Sequence, residues 1–239
     1  NQDDISHADE DVLLDRVGVD AFRIDERQRG LPFSGGTLQI YYNPECFARA
    51  GQFRGLPVPV PTCDWTIEEF HQTARLLTCD FDRDGRLDQF GFWHPRWVYF
   101  LPFFWSMGAD IIDPQTHTWV FQGRHAERSL MFYRDLLRDD RVCPREDEVA
   151  QMFQDVGFLT GKVGLCINGP WFQSFLAKTK LADKYGVVDI PRGVGGRWTR
   201  VTWDGLVISD RVRGRKLEYA RAFVRFALSK PIKVRIAAM

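Results

Sequence analysis

Gly161-Lys162-Val163-Gly164-Leu165-Cys166-Ile167-Asn168-Gly169-Pro170-Trp171-Phe172-Gln173-Ser174-Phe175 is the stretch from which the rest of the chain can be read. Val163, Leu165 and Ile167 alternate with Gly164, Cys166 and Asn168, the period-two pattern of a short strand. Asn168-Gly169 breaks the alternation, and Pro170 stands where a helix takes its first residue. Its fixed φ suits a helix start, and the N–H it lacks would have had no partner there. Trp171 follows at once. A strand that delivers a tryptophan and a new helix N-terminus to one spot offers a ligand N–H donors and a broad flat face. The same tryptophan also reads as a core anchor.

Composition narrows the field. The chain has 239 residues, 44% hydrophobic and 27% charged, with 32 basic against 32 acidic side chains. That suits one two-lobed unit or two small domains. With no basic excess, nucleic acid and anionic membrane surfaces are not expected partners. No apolar run is long enough to span a bilayer, and no signal peptide is present. The first residues, Asn1-Gln2-Asp3-Asp4, lack a Met and read as a processed, cut or incomplete chain. Cysteines 46, 63, 79, 143 and 166 have no C-x-x-C spacing, which argues against a zinc site or redox motif, and their odd number leaves at least one unpaired within the chain. Cys63 and Cys79 flank a predicted helix of about four turns, too long at ~1.5 Å per residue for a disulfide to join its ends. No H-E-x-x-H, G-x-S-x-G or phosphate loop occurs, and the His residues show no ligand spacing. Gly193-Val194-Gly195-Gly196 is no dinucleotide fingerprint, because a strand follows it.

Outward from the opening stretch, residues 1–30 are acidic, then Arg-rich, with weak helical periodicity. Leu31–Asn43 reads as a strand after the Ser34-Gly35-Gly36 break, with Tyr41 and Tyr42 on opposite sides. Asn43 is a helix cap, Pro44 a first helical residue and Gly51 the expected close. Thr66 and Glu69 form a capping box, with Trp65 and Phe70 as its hydrophobic staple. Ile67, Phe70, Ala74 and Leu77 make a buried stripe, so Trp65 is structural. Trp93, Trp97, Tyr99, Phe100, Phe103, Phe104, Trp105, Trp119 and Phe121 crowd one region. Spacing through 97, 100, 101, 104 and 105 predicts a helix, closed by Met107-Gly108-Ala109-Asp110. Amphipathic helices are expected at 124–138 (Ala126, Leu130, Tyr133, Leu137) and 147–159 (Val149, Phe153, Val156). Strands follow at Tyr185–Ile190 and Thr199–Ser209, and then a last helix carrying Leu217, Ala220, Phe223, Val224 and Ala227.

Asp80-Phe81-Asp82-Arg83-Asp84-Gly85-Arg86-Leu87-Asp88 matches the first three quarters of a calcium loop. Ca²⁺ takes six to eight oxygens, and Gly at the sixth place allows the sharp turn. Without a cation, Asp80, Asp82, Asp84 and Asp88 repel one another. The twelfth place, where an EF-hand has its bidentate Glu, is Gly91, so a full site needs a further oxygen donor or water. An Asp/Gly-rich surface turn that tolerates charge is the other reading.

Asn168-Gly169-Pro170-Trp171, after Gly161-Lys162 and Ile167, resembles the sugar-binding (family 1) extracellular solute-binding proteins of ABC importers. Leu31-Pro32 with Tyr41-Tyr42-Asn43, Trp65–Phe70, Asp80–Phe92 and the last helix resemble that family's motifs too, in its order. The resemblance runs from about residue 30 to the end. It implies a type II periplasmic-binding-protein-like two-lobe α/β fold, with 41–185 as the second lobe, and 1–40 and 186–239 as the edges of a first. It also implies a fragment, since the family extends further on both sides. The function implied is a receptor that presents a sugar or oligosaccharide to a membrane permease, in the periplasm or outside the cell, lipid-anchored or free, with no catalytic residue. Trp171 would stack on the sugar. Trp97, Tyr99 and Trp105 would line the site, and Trp203, Asp204 and Ser34 would border it, although a buried Trp beside a turn Asp explains the pair at 203–204 as well. Any calcium, held by Asp80, Asp82, Asp84, Arg86 and Asp88, would be structural. A carbohydrate-active enzyme using a carboxylate pair and a calcium-stabilised binding module are the alternatives.

Overall fold

The computed structural model describes residues 16–94, 97–113, 115–145, 148 and 156–237. Two units emerge: one of Thr37–Arg200, the other of residues up to Gly36 together with those from Val201 on. Strand β1 is Leu31–Thr37, β2 Gln39–Tyr42, β3 Phe90–Trp93, β4 Val163–Asn168, β5 Gly186–Val188 and β6 Val201–Leu206. Helix α1 is Pro44–Arg54, α2 Ile67–Leu77, α3 Leu101–Ser106, α4 Gly123–Arg134, α5 Trp171–Leu176 and α6 Arg215–Leu228. This is the mixed α/β architecture expected.

In the larger unit, one four-stranded sheet runs in the order β3-β4-β2-β5. β3 and β4 are parallel, and β2 is antiparallel to both β4 and β5. β4 is buried along its whole length. Its alternation therefore separates two apolar faces, the pattern of a strand covered on both sides. Ile40, Phe92, Leu165, Ile167 and Val188 pack with Phe47, Phe70, Leu77 and Phe103 in the main core. Tyr41 and Cys166 pack with Phe158, Phe172 and Leu176 in a second. Tyr41 and Tyr42 thus face opposite sides, as strand geometry requires. Close approach needs glycine at two points. A Cβ on Gly91 would stand 1.9 Å from the Ala74 carbonyl oxygen of α2, and one on Gly164 2.8 Å from Leu77 Cδ1.

Local signals hold well in α2. Thr66 Oγ1 accepts from the Glu69 N–H, and the Glu69 carboxylate accepts from the Thr66 N–H. The Trp65 and Phe70 rings meet edge-on at 5.6 Å, and Ile67, Phe70, Ala74 and Leu77 are all buried. Other expectations need correction. Helix α1 passes Gly51 and closes at Gly55, whose left-handed φ of 71° is the conformation that favours glycine. The helix expected through 97–105 is a 3-10 turn, Trp97–Phe100, followed by α3. In α4 the buried residues are Ala126, Ser129 and Phe132, and Leu130 is exposed. The last turns, Asp135–Asp139, widen to a π-helix, which puts Leu136 inside. Most of the helix expected at 147–159 lies outside the described residues; Val156–Leu159 is helical.

In the smaller unit β1 pairs with β6. Leu31, Val224 and Leu228 form its buried cluster, with Phe33, Leu206 and Ile208 against it. Val224 and Ala227 of α6 are buried, whereas Phe223 is exposed.

Candidate functional site

Strand β4 ends at Asn168, whose Oδ1 accepts from the Gly169 N–H at 2.9 Å. The buried Tyr41 hydroxyl donates to the Gly169 carbonyl at 3.0 Å, and the Phe172 N–H donates to the same oxygen. Burial pushes the Tyr41 hydroxyl up from its ordinary 10.0 to about 12, so it stays protonated and stays a donor. The Trp171 indole folds back over Gly169, so that a Cβ there would stand 2.1 Å from Cη2 of the ring. Glycine leaves room for the ring to lie flat. Trp171 is nonetheless 46% exposed, so it is no core anchor. One expectation is corrected. Helix α5 is six residues long, with Pro170 as its cap rather than its first residue. The Phe172 and Gln173 N–H groups bond to Gly169 O and Pro170 O, which engages two of the donors expected here. The indole face is what this turn offers a ligand.

The sheet ties other groups to the same end. Gln39 of β2 lies opposite Asn168. One residue earlier, the Leu38 N–H donates to Arg200 O, and Thr199 Oγ1 donates to Leu38 O at 2.7 Å. The Arg200 guanidinium lies 5.1 Å from the centroid of the Tyr99 ring. Trp105 is half-buried, its indole N–H donating to Asp110 at 3.0 Å. Trp97 is in the 3-10 turn; its side chain lies outside what is described. Trp198, which sequence reasoning did not single out, is exposed yet held: its indole N–H donates to Gly195 O, and its backbone N–H to Ser106 Oγ.

Three candidates fall in the smaller unit. Ser34 Oγ donates to Asp204 Oδ2 at 3.1 Å, so these two polar side chains partner each other. Trp203 is half-buried. Its ring covers Gly18 and Gly35, where an added Cβ would stand 2.9 Å and 2.4 Å from it. Trp171, Tyr99 and Trp105 belong to the larger unit.

In the acidic loop, one oxygen from each of Asp80, Asp82 and Asp88 lies within 4.8 Å of the others. Asp84 is not in that group, and its carboxylate accepts from the Arg86 N–H at 2.7 Å. Asp80 accepts from the Asp84 and Gly85 N–H groups, and Asp88 from that of Phe81. Cys79 and Gln89 close the loop with backbone bonds. Phe81 is gripped between the Arg49 guanidinium, 5.1 Å away, and the Phe53 ring at 5.3 Å. The departure at Gly91 now has a physical reason: any side chain there would strike α2. An all-oxygen donor set suits a hard cation such as Ca²⁺.

Sequence reasoning missed Arg200 and the anchoring role of Tyr41. Nothing in the local pattern marks either, because each acts through residues brought to it by strand pairing. Grooves lined by Phe47, Leu56, Val58 and Val60, and by Glu68, His71 and Arg75, contain none of the candidates. All five cysteines are free thiols, and among the described residues no helix is long and apolar enough to cross a membrane.

Comparison with known proteins bears on the fold and the family. Putative binding proteins of Brucella abortus and Brucella suis are 23% identical over 194 residues, 81% of this chain and 45% of theirs. An ABC substrate-binding protein from Listeria monocytogenes, solved in complex with cycloalternan, superposes with a TM-score of 0.81 at 19% identity, covering 98% of this chain and 57% of its own. A Thermotoga maritima protein solved with maltose bound has a TM-score of 0.73 at 21% identity, covering 97% of this chain and 57% of its own. These likenesses show a type II periplasmic-binding-protein fold, of which one lobe is mostly present. The chain spans about half the length of the relatives it matches. The model of the bacterial extracellular solute-binding proteins matches residues 2–234, and the chain belongs to that family.

Proposed function

We propose that this chain is part of a receptor that binds a sugar or oligosaccharide and presents it to the membrane permease of an ABC importer, outside the cytoplasm. The observation that carries the reading is Trp171, nearly half exposed although its backbone turn and ring are fixed by Gly169 and Tyr41. A large aromatic held open in this way suits stacking on the apolar face of a pyranose. Covering roughly 100–200 Å² of apolar surface contributes about 2.5–5 kcal/mol before entropic costs. Micromolar affinity needs about 8 kcal/mol. Polar groups must supply the rest, some from around Tyr99 in the larger unit, and some from the remainder of a full-length protein that closes over the ligand by hinge motion. The Listeria and Thermotoga neighbours, solved with cycloalternan and maltose, support a carbohydrate ligand.

Calcium enters as a structural ion. Asp80, Asp82 and Asp88 would hold it, with the Arg86 main chain and Asp84 at the margin. It would supply charge neutralisation to the loop and no chemistry.

Tryptophan fluorescence during titration with maltose and longer maltodextrins, run with calcium and with chelator, tests both. The expected result is a saturable change with no product formed. Trp171→Ala should abolish it, and Gly169→Ala should weaken it by swinging the indole away. A flat response from the wild-type chain would overturn the reading for this chain. A melting temperature indifferent to calcium would remove the ion.

A further inference from the structure

Arg200 is the last residue of the larger unit, and its guanidinium lies over the face of Tyr99. Its Nε is buried and without a hydrogen-bond partner, and among the described residues no carboxylate pairs with it. The other arginines of the adjoining loop carry ion pairs, Arg192 with Asp64 and Arg197 with both Asp64 and Asp189, although the Arg197 Nε is likewise buried without a partner. Arg200 is therefore a cation held in place by an aromatic face, with no carboxylate partner among the described residues. Stacking fixes the plane of the guanidinium and leaves its edge to donate. A guanidinium without an anionic partner has N–H donors to offer one that arrives.

Its position indicates what that partner is. The Arg200 carbonyl accepts from the Leu38 N–H, and the next residue, Gln39, faces Asn168, three residues before Trp171. Register thus brings the Arg200 main chain to the end of the sheet that leads into the Trp171 turn. Resting on the sugar-receptor reading, we infer that Arg200 is a specificity-determining residue, donating two parallel N–H bonds to a side-by-side pair of ligand oxygens while Trp171 takes the apolar face. Two kinds of sugar present such a pair: a neutral saccharide through vicinal hydroxyls, and a sugar acid through its carboxylate. The planar fork fits either, and a lysine ammonium, being a point charge, fits neither as well.

The test is isothermal titration of the wild-type chain, Arg200→Gln, Arg200→Lys and Trp171→Ala, each with maltose and with the disaccharide in which one glucose is glucuronic acid. Urea midpoints of all four proteins are measured alongside. Arg200→Gln is expected to weaken binding by about tenfold or more, the usual effect of losing a charge-assisted hydrogen bond, with little change in midpoint. Loss with both disaccharides assigns the hydroxyl pair; loss confined to the acid assigns the carboxylate. Unaltered binding in both Arg200 variants, with Trp171→Ala abolishing it, would overturn the role of Arg200 alone. Full rescue by Arg200→Lys would overturn the stacked-fork geometry. Absence of saturable binding by the wild-type chain would overturn the receptor reading along with it.

Discussion

Two tryptophans of this molecule stand beside the start of a helix, and they have opposite fates. Trp65 is 3% exposed, its ring against Phe70 and its indole N–H donating to Asp189 O at 2.8 Å. Trp171 is 46% exposed, its ring spread over Gly169. At the first start, Thr66 and Glu69 satisfy each other's backbone, and the staple pulls the indole inward. At the second, no side chain caps the helix, and the turn is held instead by a hydroxyl from a neighbouring strand. A capped start with a stapled ring is a closed local structure. A start pinned by a long-range bond leaves its aromatic free for another partner.

The sharpest way to break the contrast is truncation. Trp65→Ala should destabilise the chain by about 3–5 kcal/mol, the range for deleting a buried aromatic, read as a fall in the urea midpoint. The same truncation at Trp171 should cost under about 1 kcal/mol of stability, as for a half-exposed side chain away from a core. Equal costs at the two positions would mean that both rings are structural.

Tyr41→Phe removes only the hydroxyl that pins Gly169. It should cost about 1–1.5 kcal/mol, one buried hydrogen bond, since the carbonyl keeps the Phe172 N–H, and it carries a pH signature. The hydroxyl titrates near 10 in the unfolded chain and near 12 when folded. Its contribution is therefore complete below pH 10 and lost as pH rises from 10 towards 12. Burial raises Cys46 from 9.0 to about 12 as well, so wild-type stability should begin to fall above pH 9. Tyr41→Phe should flatten the upper part of that decline, measured as urea midpoints from pH 8 to 11.5. An unchanged slope would detach Tyr41 from it.

The smallest effect is expected at the capped start. Thr66→Ala loses one side-chain cap, worth about 1 kcal/mol, with the midpoint lowered and sugar binding unaltered. A change in binding would mean that the two helix starts are coupled.

Much of the fold was legible because its signals are local. The capping box, the staple and the stripe of α2 depend on residues a few positions apart, and the alternation around Val163–Ile167 marks a strand whatever surrounds it. The errors came where local signals compete. Gly51 and Gly55 both can end a helix, and only packing chooses between them. Leu130 and Phe132 both suit an apolar face, and only packing against the main core chooses Phe132. The candidate site was legible in part. Trp171 was found through its motif, but its exposure was not, and two of the donors expected around it proved to be used.

By itself, the sequence determined the strand at Val163–Ile167 and the helix from Ile67 to Leu77, though not the strand Phe90–Trp93. It also determined that Trp65 is structural, that Asp80–Asp88 is a carboxylate-lined turn, and which family's motifs occur in order. Short-range sterics and hydrogen bonding settle such matters before the chain has folded. Only the tertiary structure decided that Tyr41 anchors Gly169, that Gly91 packs on α2, that Ser34 and Asp204 bond each other, and that Arg200 stacks on Tyr99. Each of these pairs residues distant in sequence, and contacts of that kind are fixed by strand register and close packing, which no local pattern encodes.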